Sequence, residues 1–298
     1  MKIRKSIWEI IFDTFNCFIM IIWTLITAYP LLYVLFSSVS DADRLSGHRG
    51  LLLYPLGFKL DAYWLVFKNP LILSGYVNTV IVVLGGTALN LFMSCLAAYF
   101  LSRNDIILWK KAVMVMMVIT MFFGGGMIPN YLLVTGLGMR DNLLALIIPG
   151  AVSTYNVIIM RTSFMGIPAS LEESAFLDGA NHFSILFKII IPLSKSILAV
   201  MALWYGVEHW NSWFSAAIYL NKRSLYPIQL VMREILIQNA QSDQVYTMAS
   251  SANEDQAAQV AKTIKYAAII IATVPILCVY PYLQKHFVKG VMIGALKG

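Results

Sequence analysis

The sequence predicts an all-α membrane protein with six transmembrane helices. Three observations predict it. Of the 298 residues, 59% are hydrophobic and 12% charged, about half the charged share of a soluble domain. Mean hydropathy is +0.73. Apolar runs of about 20 residues, the length that crosses the hydrocarbon core as a helix, recur along the chain between polar stretches. These features exclude an ordinary water-soluble enzyme, and also a disordered chain, which needs low hydrophobicity.

The elements follow in order. Residues 1–14 form a short basic start with Lys2, Arg4 and Lys5. The first span, Phe15 to Phe36, is longer than a signal-peptide core and lacks an A-x-A-like cleavage site, so it is read as uncleaved. An outer loop over 37–70 holds the turn residues Asp41, Gly47, Gly50, Pro55 and Gly57, and a short interfacial helix around Tyr63 and Trp64. The second span is Leu71 to Phe100, followed by a loop with Arg103, Lys110 and Lys111. The third, Ala112 to Val134, is broken by Gly124–Gly126 and Pro129. That break reads either as a gate hinge or as close helix packing through small residues. The fourth span is Asn142 to Met160, and a long amphipathic loop covers 161–196. The fifth is Ile197 to Leu220, with a polar, largely helical outer loop over 221–265. The sixth is Tyr266 to Leu283, which Pro275 and Pro281 kink or end. The transmembrane domain thus spans 15–283, and a basic tail covers 284–298. Six spans put both termini on one side, and the positive charge of the short segments places that side in the cytoplasm.

The net charge of +7 comes without a Lys/Arg-rich run interleaved with aromatics, so nucleic acid is a poor fit. Cys17, Cys95 and Cys278 fall in apolar stretches without metal or redox spacing. The chain contains no G-x-x-x-x-G-K-[ST], H-E-x-x-H or G-x-S-x-G motif, and its four histidines are scattered. The expectation is therefore a non-catalytic protein that binds no metal and no cofactor of its own. Only one acid, Glu208, lies deep in a span, whereas ion-coupled carriers and pumps usually place several ionisable groups there. Energy for uphill movement then has to come from a partner.

The segment Pro168 to Pro192 reads PASLEESAFLDGANHFSILFKIIIP. Ser170 with Glu173 fits a capping box, and Glu172 and Glu173 sit where the positive end of a helix dipole favours acids. Asp178-Gly179 ends the helix, because glycine accepts the left-handed conformation there. Asn181 caps a second helix through Phe183, Leu186 and Phe187. Leu171 and Ala175 lie one turn apart on one face. This outlying helix–turn–helix suits a groove on another protein; an amphipathic loop resting on lipid is the other reading.

The residues Glu173-Ser174-Ala175, Gly179, Ile189, Ile191 and Pro192 resemble the EAA loop of ABC-importer permeases, with Ser174 for the usual alanine and Ile191 for the usual leucine. Asp178-Gly179-Ala180 resembles the sugar-importer branch, the maltose-type and complex-polysaccharide permeases. So do Gly125 to Tyr131, Trp210-Asn211-Ser212-Trp213 and the tail Phe287 to Gly298. The resemblance implies the type I importer permease fold, multi-pass in the bacterial cell membrane. It implies a second, similar permease as partner, two ATPase subunits carrying ATP and magnesium, and a solute-binding protein outside. The solute would be an oligosaccharide or polysaccharide fragment. It implies a cytoplasmic coupling helix in which Glu172, Glu173, Ala175, Asp178 and Gly179 contact the ATPase. It also implies a tail in which Gly294, Lys297 and Gly298 reach the ATPases, against the plainer reading of a frayed basic end. The polar segment Gln238 to Asp255 would face the binding protein.

On the fifth span, Trp204, Glu208, Asn211 and Ser215 recur at spacings that share one helix face. Aromatic faces with polar groups suit a carbohydrate path; interhelical hydrogen bonding is the other reading. Asn78, Asn90, Tyr155 and Asn156 are lesser candidates, favoured as packing residues. On residues alone, a self-sufficient secondary transporter and a membrane anchor without transport stay open. Neither needs a capped E-S-A-x-x-x-G helix.

Overall fold

The computed structural model describes residues 6–103, 109–246 and 263–278. Among them, regular structure is helical apart from one isolated antiparallel bridge, Ser40 to Phe58. The chain divides into two compact units.

One unit comprises the described residues up to Asn69 and those within 234–273. Helix α1 (Ile7–Ser38) has 32 residues and starts eight residues before the predicted span. Its first turns carry exposed Trp8, Ile10, Ile11 and Phe12 beside Glu9 and Asp13, so the apolar pattern that sustains the helix begins ahead of the predicted span. Glu9 stops the fraying by accepting from the Ser6 N–H at 2.9 Å. In the following loop Asp41 caps α2 (Ala42–Gly47) by accepting from the N–H groups of Asp43 and Arg44. It also pairs with Lys59 at 2.5 Å. Helix α3 (Asp61–Lys68) lies where the Tyr63-Trp64 helix was expected, and its Tyr63 hydroxyl shares a 2.7 Å hydrogen bond with Ser38.

The other unit comprises the described residues from Pro70 to Arg233 and 274–278. Its spine is α4 (Pro70–Ser102), 33 residues long and matching the second predicted span. It packs mainly on α8 (Thr154–Met165) and α12 (Lys195–Trp210). The shared core holds Tyr99, Val157, Met160, Phe164, Met201 and Tyr205, all essentially out of solvent. Small residues let the backbones approach: a Cβ on Gly86 would overlap the His209 ring, and one on Gly75 would lie 3.2 Å from the Ile228 Cα. Inside this core Ser94 and Tyr205 share a 2.7 Å hydrogen bond.

The third predicted span breaks where its glycines indicated. Helix α5 (Lys110–Phe122) and α6 (Met127–Gly136) meet at 114° across the intervening residues, and Gly126 takes φ +83°. Two further breaks were not expected. The predicted fourth span resolves into α7 (Leu144–Ile147) and α8, with Pro149 and Gly150 between them. Proline removes a helical donor and glycine weakens what remains. The predicted fifth span stops at Trp210 and resumes as α13 (Trp213–Tyr219). Two helices, α1 and α4, are long and apolar enough to cross a membrane singly; counting each bent pair as one span gives up to four among the described residues. Beyond α13, a 3-10 turn (Arg223–Leu225) leads to α14 (Ile228–Tyr246). The predicted sixth span corresponds to α15 (Thr263–Cys278); its end at 279–283 and the whole tail lie outside the described residues.

Candidate functional site

The 161–196 loop folds as two helices around one turn. Helix α9 (Ala169–Leu177) begins two residues earlier than the capping box predicted. Pro168, fixed near φ −57° and extended at ψ 131°, is its N-cap. Ser170 is therefore inside the first turn, and its carbonyl accepts from the Ser174 hydroxyl at 2.9 Å. The C-terminus is as expected. Gly179 takes φ +80°; the Ala180 N–H donates to the Ala175 carbonyl and the Gly179 N–H to the Phe176 carbonyl, both at 2.9 Å. This is the Schellman arrangement that satisfies the last helical carbonyls. Asn181 Oδ1 then accepts from the Ser184 N–H at 2.8 Å and caps α10 (His182–Ile185). A π-helical turn (Leu186–Ile190) and α11 (Ile191–Leu193) continue it. The composite helix meets α12 at 87°.

The five residues singled out on this loop face different ways. Glu173, Asp178 and Gly179 are exposed. Ala175 is half-buried against the unit's own core, so it does not share an open face with exposed Leu171. Glu172 is only 6% exposed. Its carboxylate receives Arg103: Nε donates to Oε2 at 2.8 Å and Nη2 donates to Oε1. The same guanidinium donates to the Phe164 carbonyl at 3.3–3.4 Å. Two residues with a part in this surface escaped the sequence reading. Arg103 did so because it lies 69 positions from its partner. Leu177, 89% exposed, carries no motif; its signal was an apolar residue on the solvent side of a helix end.

On α12 the predicted stripe is divided. Trp204 is half-buried and stacks on Tyr155 of α8, centroids 6.0 Å apart and planes within 19°. Glu208, one turn on, is exposed. Asn211 is exposed at the helix C-cap, where Nδ2 donates to the Val207 carbonyl at 3.0 Å. Ser215 lies on α13, past the break, so helical register does not bring it to the same face. Tyr155 belongs with the stripe more than its sequence indicated, being 52% exposed. Asn78, Asn90 and Asn156 are buried, as packing residues would be. Asn78 Nδ2 donates to the carbonyls of Ser224 and Tyr226 at 2.8 and 3.2 Å. Asn90 Nδ2 donates to the Gly150 carbonyl, which the break before α8 leaves free.

At the opposite end from the α9 turn, Asp141 (φ +56°) accepts from the N–H groups of Asn221 and Lys222 at 2.5 and 3.1 Å. The Asn221 N–H is the main reason its carboxyl is held below the usual carboxylate range. A groove of about 520 Å³ between α4 and α12 is walled mainly by apolar side chains such as Leu84, Ala88, Leu203 and Val207, with the Thr87 hydroxyl and the Trp210 indole among them. No group of metal-ligating side chains occurs among the described residues. Gly294, Lys297 and Gly298, and residues 247–255 of the predicted outer loop, lie outside them.

No family model matches the chain. It is 39% identical, over 97% of its length and 99% of the relative's, to the polygalacturonan/rhamnogalacturonan transport system permease protein YtcP of Bacillus subtilis. Among solved structures it is similar to a bacterial ABC transporter involved in the import of the acidic polysaccharide alginate. There the TM-score is 0.84 and the identity 30%, covering 95% of this chain and 99% of that one. A bacterial alginate ABC transporter in complex with an alginate pentasaccharide-bound periplasmic protein shares the fold, with a TM-score of 0.50 and 16% identity over 91% and 96% of the two chains.

Proposed function

The chain belongs to the sugar ABC transport system permeases, and we propose that it forms one half of the translocation path of an ATP-driven importer for an oligosaccharide or polysaccharide fragment. The other half is a second, similar permease. Two ATPase subunits, which hold ATP and magnesium, dock on the cytoplasmic side, and a solute-binding protein delivers the sugar from outside. This chain has six spans with both termini in the cytoplasm, and it hydrolyses nothing itself. What a relative's polygalacturonan and a neighbour's alginate have in common, a carbohydrate chain, supports the substrate class.

The single observation that carries the coupling role is the α9–α10 turn. A helix closed by Gly179 at φ +80° and followed at once by an Asn181-capped helix is a rigid unit. It presents Glu173, Leu177, Asp178 and Gly179 outward. In the proposed assembly these residues meet the ATPase, while Glu172 and Ala175 hold the helix to its own chain. Gly294, Lys297 and Gly298 reach the ATPases from the tail. The test replaces Gly179 with leucine in the assembled importer: transport and ATPase stimulation are lost while the protein stays folded. Normal transport by that variant sinks the reading.

The path runs along Trp204, Tyr155, Glu208 and Asn211. Helices α5, α8 and α12 measure 13, 12 and 16 residues from their coupling-side ends to their breaks, roughly 18–24 Å at 1.5 Å per residue. Three spans thus open their backbones at similar depth, about two thirds of the way across a hydrocarbon core of about 30 Å from the coupling side. Irregular backbone at that depth is tolerated only inside protein or along a wet cavity. Glu208, a charged group that costs at least about 2.5 kcal/mol in lipid, is exposed at the same level. Ser215, beyond the α12 break, belongs to the outer end of that path.

A further inference from the structure

We propose that Arg103 is a positioning residue that fastens the coupling helix to the second span, so that α4 and α9 move as one body when the ATPases close. The proposal rests on the coupling-helix reading of α9 and adds a route by which the motion leaves it.

The end of α4 grips the loop at three places. Arg103, one residue past α4, meets Glu172 of α9 with both ends of its planar fork and the Phe164 carbonyl at the end of α8. Its guanidinium also lies 5.6 Å from the Tyr99 ring centroid. Two residues earlier, the Leu101 carbonyl accepts from Arg161 Nε at 3.0 Å. One turn back, the Tyr99 hydroxyl lies 3.3 Å from His182 Nδ1, in the first turn of α10. His182 in turn packs edge-on to Phe176 of α9, centroids 4.9 Å apart. One turn and a half of α4 therefore touches α8, α9 and α10.

The chemistry of the pair favours register over glue. A two-pronged arginine–carboxylate contact has one geometry, which a lysine cannot reproduce. Side-chain exposures of 16% for Arg103 and 7% for Glu172 take both charges largely out of water. Such a pair adds little net stability against an apolar replacement, and its best-attested use is to select one arrangement. With the carboxylate so held, α9 cannot rock about Gly179 independently of α4. Force entering α9 then passes into a 33-residue helix. That helix carries Asn90, whose side chain holds Gly150 at the break of the fourth predicted span and His209 near the break of the fifth. Glu172, Arg103 and Asn90 thus connect the coupling surface to the level at which the spans open.

The experiment measures one distance within this chain in the complete importer, and needs no sugar. In a background with Cys17, Cys95 and Cys278 replaced, spin labels are placed at Ala169, at the start of α9, and at Phe92, on α4. Both positions are exposed, and Ala169 sits at the opposite end of α9 from Leu177, Asp178 and Gly179. The distance is read by pulsed electron spin resonance without nucleotide and after trapping with MgATP and vanadate. In the parent chain it is the same in both states. In Arg103→Ala it differs between them by about 2 Å, a typical helix shift at an interface. Glu172→Gln, which keeps the side-chain volume, behaves alike and serves if the alanine variant fails to assemble. The exchanged pair Arg103→Glu/Glu172→Arg restores a single distance. A nucleotide-dependent distance in the parent chain overturns the proposal. So does a constant distance in both single variants, or an exchanged pair that behaves like them. Failure of the underlying reading is separate: it shows as normal transport by Gly179→Leu, which this distance does not report.

Discussion

Nε2 of His209 lies 2.7 Å from Oδ1 of Asn90, while Nδ2 of the same amide donates to the Gly150 carbonyl. One buried side chain on α4 thereby satisfies both a ring nitrogen of α12 and a backbone carbonyl freed by the break before α8. Gly86, one turn away on α4, makes room for the imidazole. Asn90→Leu therefore leaves the buried His209 ring nitrogen and the Gly150 carbonyl without this partner, and destabilises the chain by about 1–2 kcal/mol. Gly86→Ala drives a methyl into the ring and costs about 1–3 kcal/mol. The neighbouring Gly85→Ala is the control, because its Cβ meets only Ile147 Cδ1, at 3.6 Å, and changes little. Thermal unfolding of the detergent-solubilised importer orders the three; a Gly86→Ala protein as stable as Gly85→Ala would contradict this packing.

The same cluster marks the limit of what the sequence alone made legible. A glycine run bent the third span where expected, because three adjacent glycines with a proline leave no helical alternative. The α9–α10 turn was legible for a similar reason: Asp178-Gly179-Ala180-Asn181 contains both a stop and a start. The break at Pro149-Gly150 was less visible. It sits inside an apolar run whose hydropathy gives no warning, and what stabilises it is Asn90, 60 residues away. The Ser170 box failed because Pro168, an extended residue that needs no N–H partner, starts the helix first. Arg103 and Glu172 each looked like an ordinary loop charge. Their pairing is set by tertiary packing, which no local spacing encodes. The four-residue stripe on the fifth span assumed an unbroken 3.6-residue period, and the interruption after Trp210 removed Ser215 from it.

At Gly179 the obstacle to substitution is the backbone and not the space. No heavy atom lies within 4 Å of the position a Cβ would take, yet φ is +80°. A non-glycine residue there costs about 1–2 kcal/mol. Asparagine tolerates the left-handed region better than leucine. Transport by the reconstituted importer should then fall in the order glycine, asparagine, leucine, with circular dichroism unchanged. If asparagine and leucine were equally damaging, surface shape at the ATPase contact would matter more than the turn.

Asp141 makes the 219–222 turn sensitive to acid. The Asn221 N–H, then the Lys222 N–H, hold its carboxyl below the usual carboxylate range. A depressed pKa gives stability that is present above the unfolded value and lost as pH falls through the folded one. The 219–222 turn should therefore loosen as pH falls below the ordinary carboxylate range. Hydrogen exchange at the amides of Asn221 and Lys222, corrected for intrinsic rate, would accelerate there. Asp141→Asn keeps a residue that accepts φ +56° but removes the charge. Its exchange should be faster at neutral pH and show no step on acidification. A step retained in that variant would assign the titration to another group.

Trp204, Tyr155 and Glu208 separate a sugar path from a structural seam. The stacked pair leaves Tyr155 half exposed, and Glu208 lies one turn along α12 from Trp204, so a sugar ring passing there meets an aromatic face and a carboxylate about one helical turn apart. A hydrogen bond from a sugar hydroxyl to a carboxylate contributes about 1.5–3 kcal/mol. Glu208→Gln should accordingly slow uptake about tenfold. Trp204→Ala and Tyr155→Ala should slow it by removing the stack, and all three should co-purify with the ATPases as the parent does. A cysteine at 208 should react with a water-soluble thiol reagent in the intact complex, because a charged side chain at this depth requires water nearby. An unreactive cysteine together with variants that fail to assemble would instead make the stripe a packing surface toward the partner permease.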